Sequence, residues 1–192
     1  MKKEILVKAF KTALVWVAII WAVYLIDLLL PYNFNQFGIF PRKASGILGV
    51  FFSPFIHANF IHILSNTLPL FVLSLLLYSF YPKISWGVMI LSILIGGLGV
   101  WLIGRSAFHV GASGLIYAIA AFLITAGFLA KSFKAMLLAL FVIIAYGGLI
   151  WGMFPSVFRT YISWEGHLMG AAAGVLIAFA YFKKVKPSEE NQ

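Results

Sequence analysis

Cysteine is absent from the 192-residue chain, and aspartate and glutamate together number only 5. The first absence excludes disulfides, thiolate metal sites and thiol nucleophiles. Charge of either sign is scarce: 10% of residues are charged, where a soluble domain of this length carries roughly a quarter. Internal repeats and low-complexity stretches are missing too. What remains is 63% hydrophobic, with a mean hydropathy of +1.03. Such a chain buries its surface in lipid or in itself, which makes an all-α, polytopic membrane protein the expected class.

The net charge of +9 does not indicate a nucleic-acid partner, because the cations stand in short clusters between apolar runs, as topology signals do. The first apolar run is too long for a cleavable signal peptide and lacks a small-residue cleavage site, so it reads as a retained helix. Apolar runs at about 12–30, 58–80, 84–104, 113–130, 135–154 and 166–182 predict six transmembrane helices. Between the first two, Pro31 to Ile56 is rich in phenylalanine and glycine, the composition of a loop lying in the membrane interface. The tail from Lys186 is polar and reads as frayed.

Lys2, Lys3, Lys8, Lys11, Lys83, Lys131, Lys134, Lys183, Lys184 and Lys186 fall on the side of the N-terminus, against Arg42, Lys43, Arg105 and Arg159 on the other. That imbalance predicts a multi-pass plasma-membrane protein with both termini cytoplasmic. Depth can then be counted at about 1.5 Å per residue. Ser113 lies 18 residues before Lys131, His167 16 before Lys183 and Asn66 17 before Lys83. All three therefore sit roughly 24–27 Å up, just inside the outer edge of a hydrocarbon core about 30 Å thick. His62 is one turn above Asn66 on the same face. The fourth and sixth helices are short, so their outer ends start below the surface, and Gly104 to Gly111 should dip toward Ser113. Irregular backbone at that depth requires surrounding protein or a water-filled cavity, here one opening to the outer face.

The run Gly111-Ala112-Ser113-Gly114 sets a serine among small residues at a helix start, where unpaired N–H groups and the positive dipole end lie. A hydroxyl becomes nucleophilic when a base within hydrogen-bond reach takes its proton, and His167 at matching depth is the candidate. No carboxylate is placed to complete a triad. Glu165 precedes His167 by two residues, about 200° around a helix, and reads as a partner for loop backbone; Asp27 reads as interfacial. Asn66, His62 and the Ser113 backbone N–H are candidate oxyanion donors. Tyr117 is placed to pack on the His167 ring. Gly170 and Gly174 give the sixth helix a small face that faces the light stripe of the fourth. His57 reads as a structural hydrogen-bonding residue, and His109 as part of the dipping loop.

These stretches occur in one order: His57-Ala58-Asn59-Phe60-Ile61-His62 with Asn66, then Gly111 to Gly114 with Tyr117, then Gly166-His167 with Gly170 and Gly174. In that order they resemble the rhomboid family of intramembrane serine proteases, in its basic six-helix bacterial form. The resemblance covers Pro31 to Tyr181 and implies a single rhomboid-like domain over 1–192. It implies Ser113 as nucleophile, His167 as general base, and His62 with Asn66 as oxyanion donors. Tyr117, Gly111, Gly114 and His57 have supporting places. The substrates implied are single-span membrane proteins cut in or near the lipid bilayer, with no cofactor and no metal. Many rhomboids carry Trp-Arg in the first loop; here Pro41-Arg42 stands there, as in a bacterial subgroup.

Three other readings compete. A metal or haem protein would use the four histidines, all toward the outer face, but no acid or cysteine stands among them as a ligand. A transporter would show paired charges mid-membrane and inverted halves. A catalytically inactive rhomboid-like protein binding membrane helices would lack the serine or the histidine, and this chain keeps both.

Overall fold

Apolar length decides the architecture. In the computed structural model, which describes residues 3–155, 162–181 and 183, the elements are helical throughout. Helix α1 spans Lys3–Leu29, α2 Gly49–Phe52, α3 Phe60–Phe80, α4 Ser85–Ile103, α5 Ser113–Ala130, α6 Phe133–Tyr146 and α7 Trp164–Ala180. Five spans among the described residues are long and apolar enough to cross a membrane: α1, α3, α4, α5 and the run Phe133–Met153. The sixth expected helix, α7, has 17 residues. The protein is an all-α, multi-pass membrane protein.

Local chemistry explains where the elements depart from the expected boundaries. Helix α1 begins at Lys3, nine residues before the apolar run at 12, because helical hydrogen bonding continues through its charged first turns and buries Ala9. Helix α3 starts after Asn59, whose side chain accepts the His62 N–H at 2.9 Å, a standard N-cap. Helix α7 starts at Trp164, before the expected 166, because the Ser163 hydroxyl accepts the Gly166 N–H at 3.1 Å. The expected helix at 135–154 is α-helical only to Tyr146 and then tightens to a 3-10 helix over Gly147–Met153. The Gly147–Gly148 pair weakens the α conformation there, and two carbonyls of the turn find side-chain partners described below. The expected positions Lys2, Arg159, Lys184 and Lys186, the helix end at 182 and the polar tail lie outside the described residues.

Helix α5 is the centre. Eleven of its 18 residues are buried, and α3, α4, α6 and α7 all pack on it, with α7 the most extensive partner. Helix α1 packs on α3, and α2 on α4. The loop from Pro31 to Ile56 is a series of short turns. It joins the α4–α5 segment through a two-way backbone pairing, Ile39 N–H to the His109 carbonyl at 3.0 Å and His109 N–H to the Ile39 carbonyl at 2.9 Å. Arg42 has a left-handed backbone, φ 58°. Its guanidinium donates to the carbonyls of Leu102 at 3.2 Å and Gly104 at 2.8 Å, so the Pro41-Arg42 pair caps the end of α4, where carbonyls lack helical partners.

Candidate functional site

Ser113 and His167 come from different helices, 54 residues apart, and meet at hydrogen-bond distance, with His167 Nε2 2.9 Å from Ser113 Oγ. On the other side of the ring, Nδ1 lies 2.8 Å from the Gly152 carbonyl oxygen. A carbonyl only accepts, so Nδ1 carries the proton and Nε2 presents its lone pair. The Ser113 hydroxyl is then the donor to Nε2. Tyr117 stacks on the imidazole with ring centroids 4.1 Å apart and planes within 6°, and its hydroxyl donates to the Leu149 carbonyl at 2.7 Å. Both carbonyl partners belong to the 3-10 turn after α6. The imidazole is thus clamped between a ring and a carbonyl, and His167 is 8% exposed.

Glycine brings the two helices this close. A Cβ at Gly170 would strike the Gly114 carbonyl oxygen, and one at Gly174 the Ala118 carbonyl oxygen. Such direct backbone contact is the close approach that small residues permit in membrane helices. Gly111 serves differently. Its φ is +113°, and a Cβ there would run into the His62 ring, so glycine is required on both counts. This turn lets the chain enter α5 with Ser113 as its first residue, leaving the N–H groups of the first turn without helical partners.

The histidines of α3 and its approach lie against that turn. His57, 1% exposed, accepts the Ala112 N–H on Nε2 at 3.3 Å, and its ring meets His62 edge-on at 5.1 Å. Burial foremost, and the neighbouring His62 next, push His57 down to about 3, so it remains a neutral acceptor. Asn66, 4% exposed, donates from its amide nitrogen to the His62 carbonyl at 3.0 Å. That bond commits one of its two N–H groups within the helix and leaves the other. A cavity lies on the α4 side of Ser113, with Ser92, Gly96, His109, Gly111 and Ser163 in its wall; His167, His62 and Asn66 do not line it.

Several residues at this site carry no signal in the sequence. Gly152 and Leu149 act through their carbonyls. A Cβ at Gly152 would strike the Tyr117 hydroxyl, so the only trace was a glycine-rich stretch in an apolar run. Glu165 does meet loop backbone, accepting the Arg105 N–H at 3.2 Å. It also forms an ion pair with the Arg105 guanidinium at 3.1 Å, which the spacing along the chain did not foretell. Asp27 accepts the Phe34 N–H at 2.8 Å and so fastens the start of the first loop.

Fold and site together define a class: a helical membrane protein in which a buried imidazole, fixed in one tautomer, meets a serine hydroxyl at a helix start. The chain belongs to the rhomboid family, with residues 44–184 matching the Rhomboid domain. It is similar to uncharacterized proteins of Mycobacterium bovis and Mycobacterium tuberculosis, each 40% identical over 176 residues that cover 88% of this chain and 73% of the relative. An uncharacterized protein of Mycobacterium leprae is 36% identical over 177 residues, covering 88% of this chain and 69% of its own.

Proposed function

We propose that the protein is an intramembrane serine endopeptidase that cleaves single-span membrane proteins with Ser113 as nucleophile and His167 as base. The observation that carries this reading is the 2.9 Å contact between Ser113 Oγ and His167 Nε2, with Nδ1 tied to the Gly152 carbonyl. In the first step Ser113 Oγ bonds to the scissile carbonyl carbon while its proton passes to Nε2. The imidazolium that forms keeps its Nδ1–H on the Gly152 carbonyl, the role an aspartate fills in a triad. Stacking on Tyr117 adds attraction between the cationic ring and an aromatic face. The proton then passes to the leaving amine, and water attacks the acyl-enzyme by the same base.

The tetrahedral intermediate carries its charge on the former carbonyl oxygen. The backbone N–H of Ser113, the ring of His62 and the free N–H of Asn66 are the donors for it, each worth about 10²–10³ in rate. The family supports this chemistry, and the positive-inside count supports six crossings with both termini cytoplasmic and the site toward the outer face. The partners are then single-span substrates and the bilayer that delivers them.

Purified protein in detergent should cleave a generic single-span substrate, and Ser113→Ala and His167→Ala should each abolish the cleavage on a gel assay. Cleavage undiminished in either variant would refute the dyad.

A further inference from the structure

The contact between Ser113 and His167 stands where two segments come together, the one that leads into α5 and the one that leads into α7. Glycine packing joins the helices lower down. At the outer end the joint is polar, and it gathers four side chains that the proposed chemistry does not use: Arg105, His109, Ser163 and Glu165.

Glu165 is 1% exposed and sits in the first turn of α7, two residues before His167. Its carboxylate accepts the Arg105 backbone N–H at 3.2 Å and the guanidinium at 3.1 and 3.4 Å. The same guanidinium donates to the Ile162 carbonyl at 2.8 Å. His109 makes the second link. Its Nε2 lies 3.0 Å from the Arg105 carbonyl and its Nδ1 2.6 Å from Ser163 Oγ. The carbonyl can only accept, so Nε2 is the protonated nitrogen and the Ser163 hydroxyl donates to Nδ1. Ser163 Oγ in turn accepts the Gly166 N–H at 3.1 Å. Burial holds His109 below its ordinary value, in keeping with the neutral tautomer this chain of bonds needs. His109 also carries the backbone pairing to Ile39, so the first loop is tied into the same joint.

Every one of these side-chain bonds either crosses between the α4–α5 segment and the start of α7 or fixes a residue that makes such a crossing. The carboxylate stands in the first turn of α7 with a loop N–H and a guanidinium bonded to it, the setting in which a buried negative charge is stable. Removing Arg105 would leave the buried carboxylate without its cation, whereas the Arg105 side chain is 38% exposed and can turn to solvent. We propose that Glu165 and Arg105, with His109 and Ser163, form a positioning clamp that sets the separation of Ser113 and His167. This inference rests on the proteolytic reading of that pair for its consequence in rate, but the geometry it asserts does not. None of the four touches the reacting atoms.

The full chain has four histidines, so ring 15N signals from histidine-labelled protein in detergent micelles are few enough to follow one by one. Assignment uses His167→Ala, and Ser113→Ala gives the His167 signal with its serine bond lost. Glu165→Ala should move the His167 Nε2 signal toward its position in Ser113→Ala. Glu165→Gln, which keeps the volume and one acceptor, should move it part of the way and guards against a variant that fails to fold. Per enzyme molecule labelled by a fluorophosphonate, kcat for Glu165→Ala should fall at least about tenfold, as expected for a small misplacement of reacting groups, with KM within about twofold. Should the His167 signal of both Glu165 variants coincide with wild type, the clamp is overturned, whatever the rate does. Should the signal move while wild type itself neither cleaves nor labels, the clamp stands and the proteolytic reading falls.

Discussion

Helices α5 and α7 meet through two glycine–carbonyl contacts, Gly170 on Gly114 and Gly174 on Ala118, whereas α6 meets α5 through one, Gly127 against the Ala135 carbonyl, with only Leu138, Ala139 and Val142 of its 14 residues buried. The first pairing is the more extensive of the two; on the second, Ile144 is 76% exposed. Yet the candidate site draws on both. The tight pair sets where Ser113 and His167 are. The loosely held neighbour supplies, from the turn after α6, the Gly152 and Leu149 carbonyls that set which way the imidazole and its stacked tyrosine face. Location and orientation of the imidazole are therefore assigned to elements of different packing. An element with few buried side chains yields at lower free energy than one held by more extensive contact.

The strongest test of this contrast is Gly170→Ala. The added methyl group lands on the Gly114 carbonyl, so α7 must move away from α5 and carry His167 with it. Cleavage should drop by about 100-fold, the cost of displacing reacting groups by about an ångström. Thermal denaturation should reveal a loss of about 1–3 kcal/mol, as overpacking brings. Wild-type turnover in Gly170→Ala would mean that glycine contact does not place the base.

Gly152→Ala probes the orienting side. Its methyl group would press on the Tyr117 hydroxyl and on His167 Nδ1, turning the ring without parting the helices. We expect kcat to fall about 10-fold while the melting temperature stays near that of wild type, a separation Gly170→Ala should not show. Equal effects of the two variants on rate and on stability would erase the distinction. The smallest effect belongs to Ile144→Ala, on the exposed face of α6, where the melting temperature should shift by no more than about 0.5 kcal/mol equivalent. A loss matching that of Gly170→Ala would show that α6 is packed as firmly as α7.

The sequence carried some of this and concealed the rest for identifiable reasons. Ser113, His167 and Asn66 were legible because polar residues are rare in apolar runs and helical rise converts position into depth. Gly170 and Gly174 were legible as a small face. The 3-10 turn at Gly147–Met153 was hidden, since hydropathy does not distinguish an α-helix from a tighter one. Gly152 and Leu149 act through carbonyls, which every residue has. The partnership of Glu165 with Arg105 spans 60 residues, and helical spacing alone spoke only of where Glu165 is not, namely on the face of His167. The capping role of Arg42 depends on a left-handed backbone that no side-chain pattern announces.

The central claim, that His167 activates Ser113, is most directly measured by reacting the purified protein in detergent with a small fluorophosphonate and locating the modified residue by mass spectrometry. The account predicts one adduct on Ser113 in wild type, none in Ser113→Ala, and a rate of modification in His167→Ala reduced at least about 100-fold, the range a general base contributes. An adduct that persists in Ser113→Ala, or a Ser113 that reacts as fast without His167 as with it, would contradict the account.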